Sequence, residues 1–322
     1  MDAHGDPTFD DVLEAAERIH GLVHRTPLVT CGAVDRATGA RVLLKSENLQ
    51  KVGAFKARGA TNAVRSLDPE AAARGVCTHS SGNHAQALAW AAAARGVPAF
   101  IVMPSTAPAV KRAAVAGYGA RITDCEPTLE AREATLAGVQ AETDATFIHP
   151  YDDPRVIAGQ GTAVLEVLSD TPDVDVVLVP VGGGGLASGS CLAASGLRPD
   201  LEVWGAEPAG ADDAHRSLRD GRRYPSVDPD TCADGLLTAL SERTFRILRG
   251  HLAGMLTVSE EAITHALRLL FERAKLVVEP SGAVPLAVLL EHPDRFRGRT
   301  VAVVLSGGNV DPARLAGLLA EG

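Results

Sequence analysis

The stretch "DVDVVLVPVGGGGLASGSCLAASG", residues 173–196, constrains the fold more than any other. An apolar run without alternation predicts a strand buried on both faces. Such strands belong to parallel sheets covered by helices. Four consecutive glycines, Gly182, Gly183, Gly184 and Gly185, then lead into a helix. Glycine permits positive φ and lets backbone N–H groups approach an anion, and the helix N-terminus adds positive dipole. A bare strand-to-helix turn needs one or two glycines, so four predict a phosphate cradle. The stretch also fits G-x-G-x-x-A (Gly182, Gly184, Ala187), with Glu207 ending the next strand. That is a dinucleotide fingerprint, so a nicotinamide-dependent oxidoreductase stays open at this point.

The same strand–helix alternation runs through most of the chain and predicts an α/β fold. At 322 residues, two domains are expected. Residues 74–149 read as a small, mobile α/β domain inserted into a larger cofactor-binding one made of 1–73 and 150–322. Residues 8–24 predict an amphipathic helix capped by Thr8, with Val12, Leu13, Ala16, Ile19 and Val23 on its apolar face. "FKARGATNAVRSL" predicts a helix, and residues 211–255 read as loop-rich. "SEEAITHALRLLFERAK" predicts one long helix.

Charge and composition exclude several classes. A net charge of −9 without a Lys/Arg block argues against nucleic-acid and anionic-membrane partners. No apolar run reaches membrane-spanning length, and the acidic N-terminus has no signal-peptide core. Cys31, Cys77, Cys125, Cys191 and Cys232 form no CxxC pair, which predicts reduced thiols in a cytoplasm and no zinc site.

Three more stretches carry chemistry. "AFKARGA" places Lys56 after Phe55 among small apolar residues. A lysine amine in such a setting has a lowered pKa and becomes nucleophilic, which serves imine formation and not hydride transfer. "HSSGNHAQA" puts Ser80, Ser81, Gly82, Asn83 and His84 between a strand and a helix. Its small polar groups suit a carboxylate or a ring oxygen, although Ser or Asn there would serve equally as an N-cap. "VVLSGGNV" repeats the device at Ser306.

Together with "TAPAVKRAAVAGYGA", "VIAGQGTAVLEVL", "GAEPAGADD" and "VEPSGA", these pieces resemble one family in order along nearly the whole chain. It is the pyridoxal-phosphate enzymes of the tryptophan-synthase-β fold type, in the branch of serine/threonine dehydratases and serine racemases. The resemblance implies a two-domain fold with parallel-rich sheets flanked by helices. It implies that Lys56 forms the imine with the cofactor and later moves the substrate α-proton. It gives the phosphate to Gly182–Gly185, the ring 3′-oxygen to Asn83 and the ring nitrogen to Ser306. Phe55 would lie against the ring, with Gly235 near it. The Ser80–His84 loop would receive the substrate carboxylate.

Ser81 stands where racemase-like members keep a second acid/base, so it permits racemisation without requiring it. Arg132 stands where it could meet a second carboxylate, as in 3-hydroxyaspartate. Glu207, the Ala211 carbonyl and Asp213 match positions that hold a divalent cation (Mg²⁺ foremost, Ca²⁺ or Mn²⁺ otherwise), oxygen ligands suited to a hard ion. Lys51, Gln86 and Lys111 match positions used by a nucleotide effector at a homodimer interface. Ala54 departs from the serine common before Phe-Lys. The chain stops soon after Asn309, so a regulatory domain with isoleucine feedback is not expected.

The expected activity is a cytoplasmic ammonia-lyase acting on a β-hydroxy amino acid, L-serine or L-threonine. A serine racemase and a threo-3-hydroxyaspartate ammonia-lyase are the alternatives. A nicotinamide oxidoreductase and a catalytically silent amino-acid sensor are the remote ones.

Overall fold

The computed structural model describes residues 5–321. The chain divides into two compact units. One comprises the chain up to Val23 together with Lys56–Gly159; the other comprises His24–Phe55 and the chain from Gln160 onward. The division thus falls at Phe55–Lys56 and not at 73–74, where the sequence reading put it. The reason lies in the helix Lys56–Arg65, whose buried face is mostly small: Ala57, Gly59, Ala60 and Ala63. It packs closely on helix Asn83–Arg95, itself rich in buried alanine. At Gly59 the approach is backbone to backbone. A Cβ added to Gly159 would sit 2.6 Å from its Cα.

The first unit holds a four-stranded, all-parallel sheet in the order Arg121–Cys125, Ala99–Pro104, Val76–His79, Thr146–Phe147. Its core is Cys77, Phe100, Val102, Cys125, Leu136, Val139 and Ala145. The N-terminal helix runs Phe9–Ile19 with a capping box. The Asp11 amide donates to Thr8 Oγ1 at 3.4 Å, and the Thr8 amide donates to Asp11 Oδ2 at 2.7 Å. It stops short of the predicted end at 24, because Gly21 takes φ of 71°. Val12, Ala15 and Ile19 are buried, but Leu13, expected on the apolar face, is exposed.

The second unit holds a six-stranded sheet in the order Leu28–Thr30, Arg41–Lys45, Thr300–Val304, Val176–Pro180, Glu202–Pro208, Gly254–Val258. Only the first pair is antiparallel. Val301 stands opposite both Val42 and Val176 in the parallel centre. The Val176–Pro180 strand is buried along its whole length, as its unbroken apolar run predicts. Helix Pro280–Glu291 is buried on nearly every side and packs against this sheet. A helix apolar all round shows no amphipathic period, so sequence pattern did not reveal it.

The 211–255 stretch is more ordered than expected. It contains helices Asp213–Asp220 and Glu242–His251. Both are charged on one side, which masks their apolar faces. The predicted long helix after Ser259 is α-helical only over Glu260–Leu269, then loosens into a π-turn over Leu270–Ala274. Among the described residues, no helix is long and apolar enough to cross a membrane.

Candidate active site

Lys56 opens the helix Lys56–Arg65, at the point where the chain enters the first unit. Its Nζ donates to the Pro150 carbonyl at 2.7 Å. Burial lowers its pKa from 10.5 to about 8, because an ammonium loses its hydration there. The amine is therefore available as a base or nucleophile close to neutral pH.

The loop Ser80–Gly82 follows strand Val76–His79 in the same unit. The helix after it starts at Asn83, with Gly82, which has no side chain to offer, as N-cap. The serines and the asparagine therefore do not serve as the cap that their types allow. Ser80 Oγ instead accepts from the Gly82 amide at 3.3 Å. The N-cap position thus offers no side chain to the helix N-terminus, an arrangement suited to an anion.

His84 is buried in the first turn. Its Nε2 lies 3.1 Å from the Ile148 carbonyl, and Nδ1 is buried without a partner. Burial foremost, then the Lys56 charge, hold its pKa well below 6.5, so the ring is neutral. Arg132 lies on helix Leu129–Thr143, close enough that its charge helps lower the pKa of His79 beside the loop, after burial. Its Nε is buried and meets no hydrogen-bond partner.

A turn the sequence reading passed over supports Lys56. The Ile148 amide is held by the Cys77 carbonyl at 2.9 Å. His149 Nδ1 accepts from the Tyr151 and Asp152 amides at 3.3 and 2.9 Å. Asp153 then caps helix Pro154–Asp170 through the Arg155 amide at 2.8 Å. "HPYDD" carries no glycine or motif to flag it.

In the second unit, Gly184 is the N-cap of helix Gly185–Leu197, at φ of 85° with no side chain to bond the first-turn amides. A Cβ there would meet Leu240 Cδ2 at 2.8 Å and Thr244 Cβ at 2.9 Å. One on Gly182 would meet Leu236 Cα at 3.1 Å. Glycine is thus demanded at Gly184 by conformation and close approach, while a Cβ at Gly182 would be tight against the Leu236 backbone. A glycine-led helix N-terminus of this kind suits an anion such as a phosphate.

Ser306 is buried, and its carbonyl accepts from the Phe55 amide at 3.0 Å. The Gly308 amide bonds the Gly53 carbonyl at 2.9 Å, and Asn309 Nδ2 bonds the Val52 carbonyl at 2.7 Å. The segment preceding Lys56 is therefore clamped onto the "SGGN" turn. Val52 pays a conformational cost there, at φ of 53°. Behind them, Ser281 Oγ accepts from the Gly235 amide at 2.8 Å. His149 is a supporting residue that no motif singled out; Ser281, inside "VEPSGA", and Val52 have no role of their own in the sequence reading.

Glu207 is fully buried at the end of its strand. Its carboxylate accepts from the Ala214 and His215 amides at 3.1 and 2.9 Å. Burial pushes its pKa up to about 9, and that of Asp213 to about 6. Both Asp213 oxygens are buried without a hydrogen-bond partner. Two buried carboxyl groups beside the Ala211 segment, one with no hydrogen-bond partner for either oxygen, fit a hard cation. No cluster of three acidic, histidine or cysteine side chains exists among the described residues, so any such site must draw on backbone oxygen. Of the positions matched to a nucleotide effector, Gln86 is buried in helix Asn83–Arg95, Lys111 lies on helix Ala109–Gly117 and Lys51 on the turn before Val52.

Residues 19–307 match the family model of pyridoxal-phosphate dependent enzymes. The chain belongs to that family. Membership decides between the two cofactors that the glycine stretch had left open, in favour of pyridoxal phosphate. The chain is 48% identical over 309 residues to the beta-hydroxyaspartate dehydratase of Paracoccus denitrificans, covering 96% of this chain and 98% of that one. It is 45% identical over 314 residues to the L-threo-3-hydroxyaspartate ammonia-lyase of Saccharomyces cerevisiae, covering 97% and 96%. Among solved structures, the serine racemase of Dictyostelium discoideum matches with a TM-score of 0.92 at 45% identity, over 95% of this chain and 99% of that one. The parallel-rich, helix-flanked architecture expected from the sequence is thus the family's fold.

Proposed function

We propose that the protein is an ammonia-lyase that converts a β-hydroxy amino acid to a 2-oxo acid and ammonia. The observation that carries this reading is Lys56, a buried amine with its pKa brought down to about 8. When bound, pyridoxal phosphate supplies an aldehyde that condenses with amines and a conjugated ring that takes up the electron pair left at the substrate Cα. The amides of Gly182, Gly183, Gly184 and Gly185 would hold its phosphate, and the family resemblance would give its ring oxygen to Asn83, its ring nitrogen to Ser306 and the ring's surroundings to Phe55 and Gly235. A serine hydroxyl, unlike a carboxylate, does not force that nitrogen to be protonated. The electron sink stays moderate, which favours prompt elimination.

Ser80, Ser81, Gly82, Asn83 and His84 receive the substrate carboxylate at their helix N-terminus. Lys56 Nζ takes the proton from the substrate Cα, and the β-hydroxyl leaves as water with a proton returned to it. Water then hydrolyses the released enamine to the oxo acid and ammonia. Among β-hydroxy amino acids, 3-hydroxyaspartate ranks above serine and threonine, because the buried, unpartnered Nε of Arg132 suits a second carboxylate. Two relatives named for 3-hydroxyaspartate chemistry support the same ranking.

A second reading, racemisation, is favoured by Ser81. A hydroxyl opposite Lys56 could return the proton to the other face. A divalent cation at Glu207, Asp213 and the Ala211 carbonyl would neutralise the buried carboxylates and order that loop, with no chemical step of its own. The homodimer, the nucleotide effector at Lys51, Gln86 and Lys111, and the cytoplasmic location are proposed on family resemblance.

The test is a panel of L-serine, L-threonine and threo-3-hydroxyaspartate, scoring oxo acid and D-isomer together in wild type and S81A. Oxo acid should dominate, highest with 3-hydroxyaspartate, and S81A should lose D-isomer while keeping oxo acid. A wild type that forms D-isomer without oxo acid makes racemisation the function. A protein with no visible cofactor band and no turnover overturns the reading altogether.

A further inference from the structure

We propose that His149 is a positioning residue for Lys56, acting through the turn that presents the Pro150 carbonyl to Nζ. The inference rests on the reading of Lys56 as the proton-transfer base. It is a claim about what holds that amine whenever it is free of the cofactor.

Hydrogen bonds at its entry, its centre and its exit define the turn. Its entry is pinned to the sheet by the Ile148 amide on the Cys77 carbonyl, and the Ile148 carbonyl lies against His84 Nε2. Its exit is pinned by Asp153, whose carboxylate caps the next helix and pairs with Arg155 at 2.6 Å. Between these anchors the chain must reverse, and the Tyr151 and Asp152 amides point inward. His149 Nδ1 accepts both. One acceptor closing on the amides two and three residues ahead is the work an Asx side chain does in a turn. Pro150, fixed in φ by its ring, sits inside this closed loop, and its carbonyl meets Lys56 Nζ at 2.7 Å.

The imidazole is itself held in place by aromatic neighbours. Its ring stands edge-on to Tyr151 at 4.6 Å, to Phe147 at 5.6 Å and to His79 at 6.4 Å between centroids. A nitrogen that accepts two N–H groups cannot carry a proton, so the neutral ring has its hydrogen on Nε2. The electrostatics agree. Asp152 and Asp153 favour the charged ring and His79 and Lys56 oppose it, but burial outweighs them all. Around Lys56 the nearby titratable rings are His84 and His149, both held neutral, so neither adds a second positive charge beside the amine.

The consequence is functional geometry. A free lysine amine has three rotatable donors on a flexible stem. A fixed carbonyl takes one hydrogen of Nζ and leaves the lone pair directed elsewhere, ready for the Cα proton. If the turn loosens, the acceptor drifts, and water can reach the amine.

Two variants separate acceptor from ring. H149F keeps the aromatic packing and removes the acceptor. H149N removes the ring and restores an acceptor for the same two amides. In H149F, kcat should fall about tenfold with KM within about twofold, and the acid limb of kcat should move to higher pH as water returns to Lys56. H149N should stay within about threefold of wild type. An independent readout uses the apoprotein. Hydrogen exchange at the Tyr151 and Asp152 amides should accelerate in H149F and stay slow in H149N. The pH dependence of Lys56 acylation by acetic anhydride, read by peptide mass spectrometry, should shift up in H149F alone. Unchanged kcat and acylation profile in H149F overturn the proposal. So does a loss in H149N as large as in H149F, or any large loss in H149N if H149F fails to fold. A wild type that binds no cofactor while its Lys56 acylation responds to these variants as stated would instead overturn the lyase reading and leave the positioning role standing.

Discussion

At the scale of the residue, the first unit keeps two imidazoles neutral by burial, and this makes its stability sensitive to acid. His149 has its pKa lowered to about 4, and His84 lies well below 6.5. In the unfolded chain both rings take up a proton near pH 6.5. Between that pH and about 4 the unfolded state therefore binds more protons than the folded one. Stability is fully present above 6.5 and is lost as pH falls through this window. The expected outcome is a decline in thermal unfolding temperature from pH 7 to pH 4. H149N, which has no proton to take up, should show a shallower slope over the same range by about one proton's worth.

At the scale of the element, two helices begin behind a glycine N-cap: Asn83–Arg95 behind Gly82, and Gly185–Leu197 behind Gly184. At Thr8, Ser241 and Ser259 a hydroxyl caps the helix instead. The two glycine-led starts are the positions proposed to take a substrate carboxylate and a phosphate. Gly184→Ala tests the second. It forces φ of 85° on a residue with a Cβ and drives that atom against Leu240 and Thr244. We expect a destabilisation of about 1–3 kcal/mol and weaker cofactor retention. Equilibrium dialysis against pyridoxal phosphate, beside thermal unfolding of the apoprotein, separates the two effects.

At the scale of the whole molecule, Glu207 and Asp213 in the second unit are carboxyl groups whose ionisation burial opposes, with pKa values raised to about 9 and about 6. A ligand that binds only the folded chain stabilises it by mass action. Millimolar Mg²⁺ should raise the unfolding temperature, and a chelator should reverse the gain. Binding requires ionised carboxylates, so protons compete with the metal and the gain should grow from pH 6 to pH 9. Asp213→Asn should abolish the Mg²⁺ response. A response that survives this change would place the ion elsewhere.

Much of this protein was determined by its sequence alone. The unbroken apolar run before Gly182 predicts a fully buried parallel strand, and Val176–Pro180 is one. Lys56, the Ser80–His84 loop, the glycine stretch and "SGGN" are legible because close backbone approach and positive φ leave a compositional trace. Local chemistry of that kind survives in one dimension. What tertiary structure decided depends on neighbours far along the chain. Lys56 falls in one unit and Phe55 in the other because small side chains let the Lys56–Arg65 helix nest on Asn83–Arg95. Whether Gly82 or a serine caps a helix, whether a carboxylate such as Asp213 is left without a partner, and whether a lysine has its pKa lowered all depend on burial. His149 shows the same limit. A histidine in "IHPYDD" reads as an ordinary residue until the fold brings the Pro150 carbonyl to Lys56 Nζ, 94 residues away in sequence.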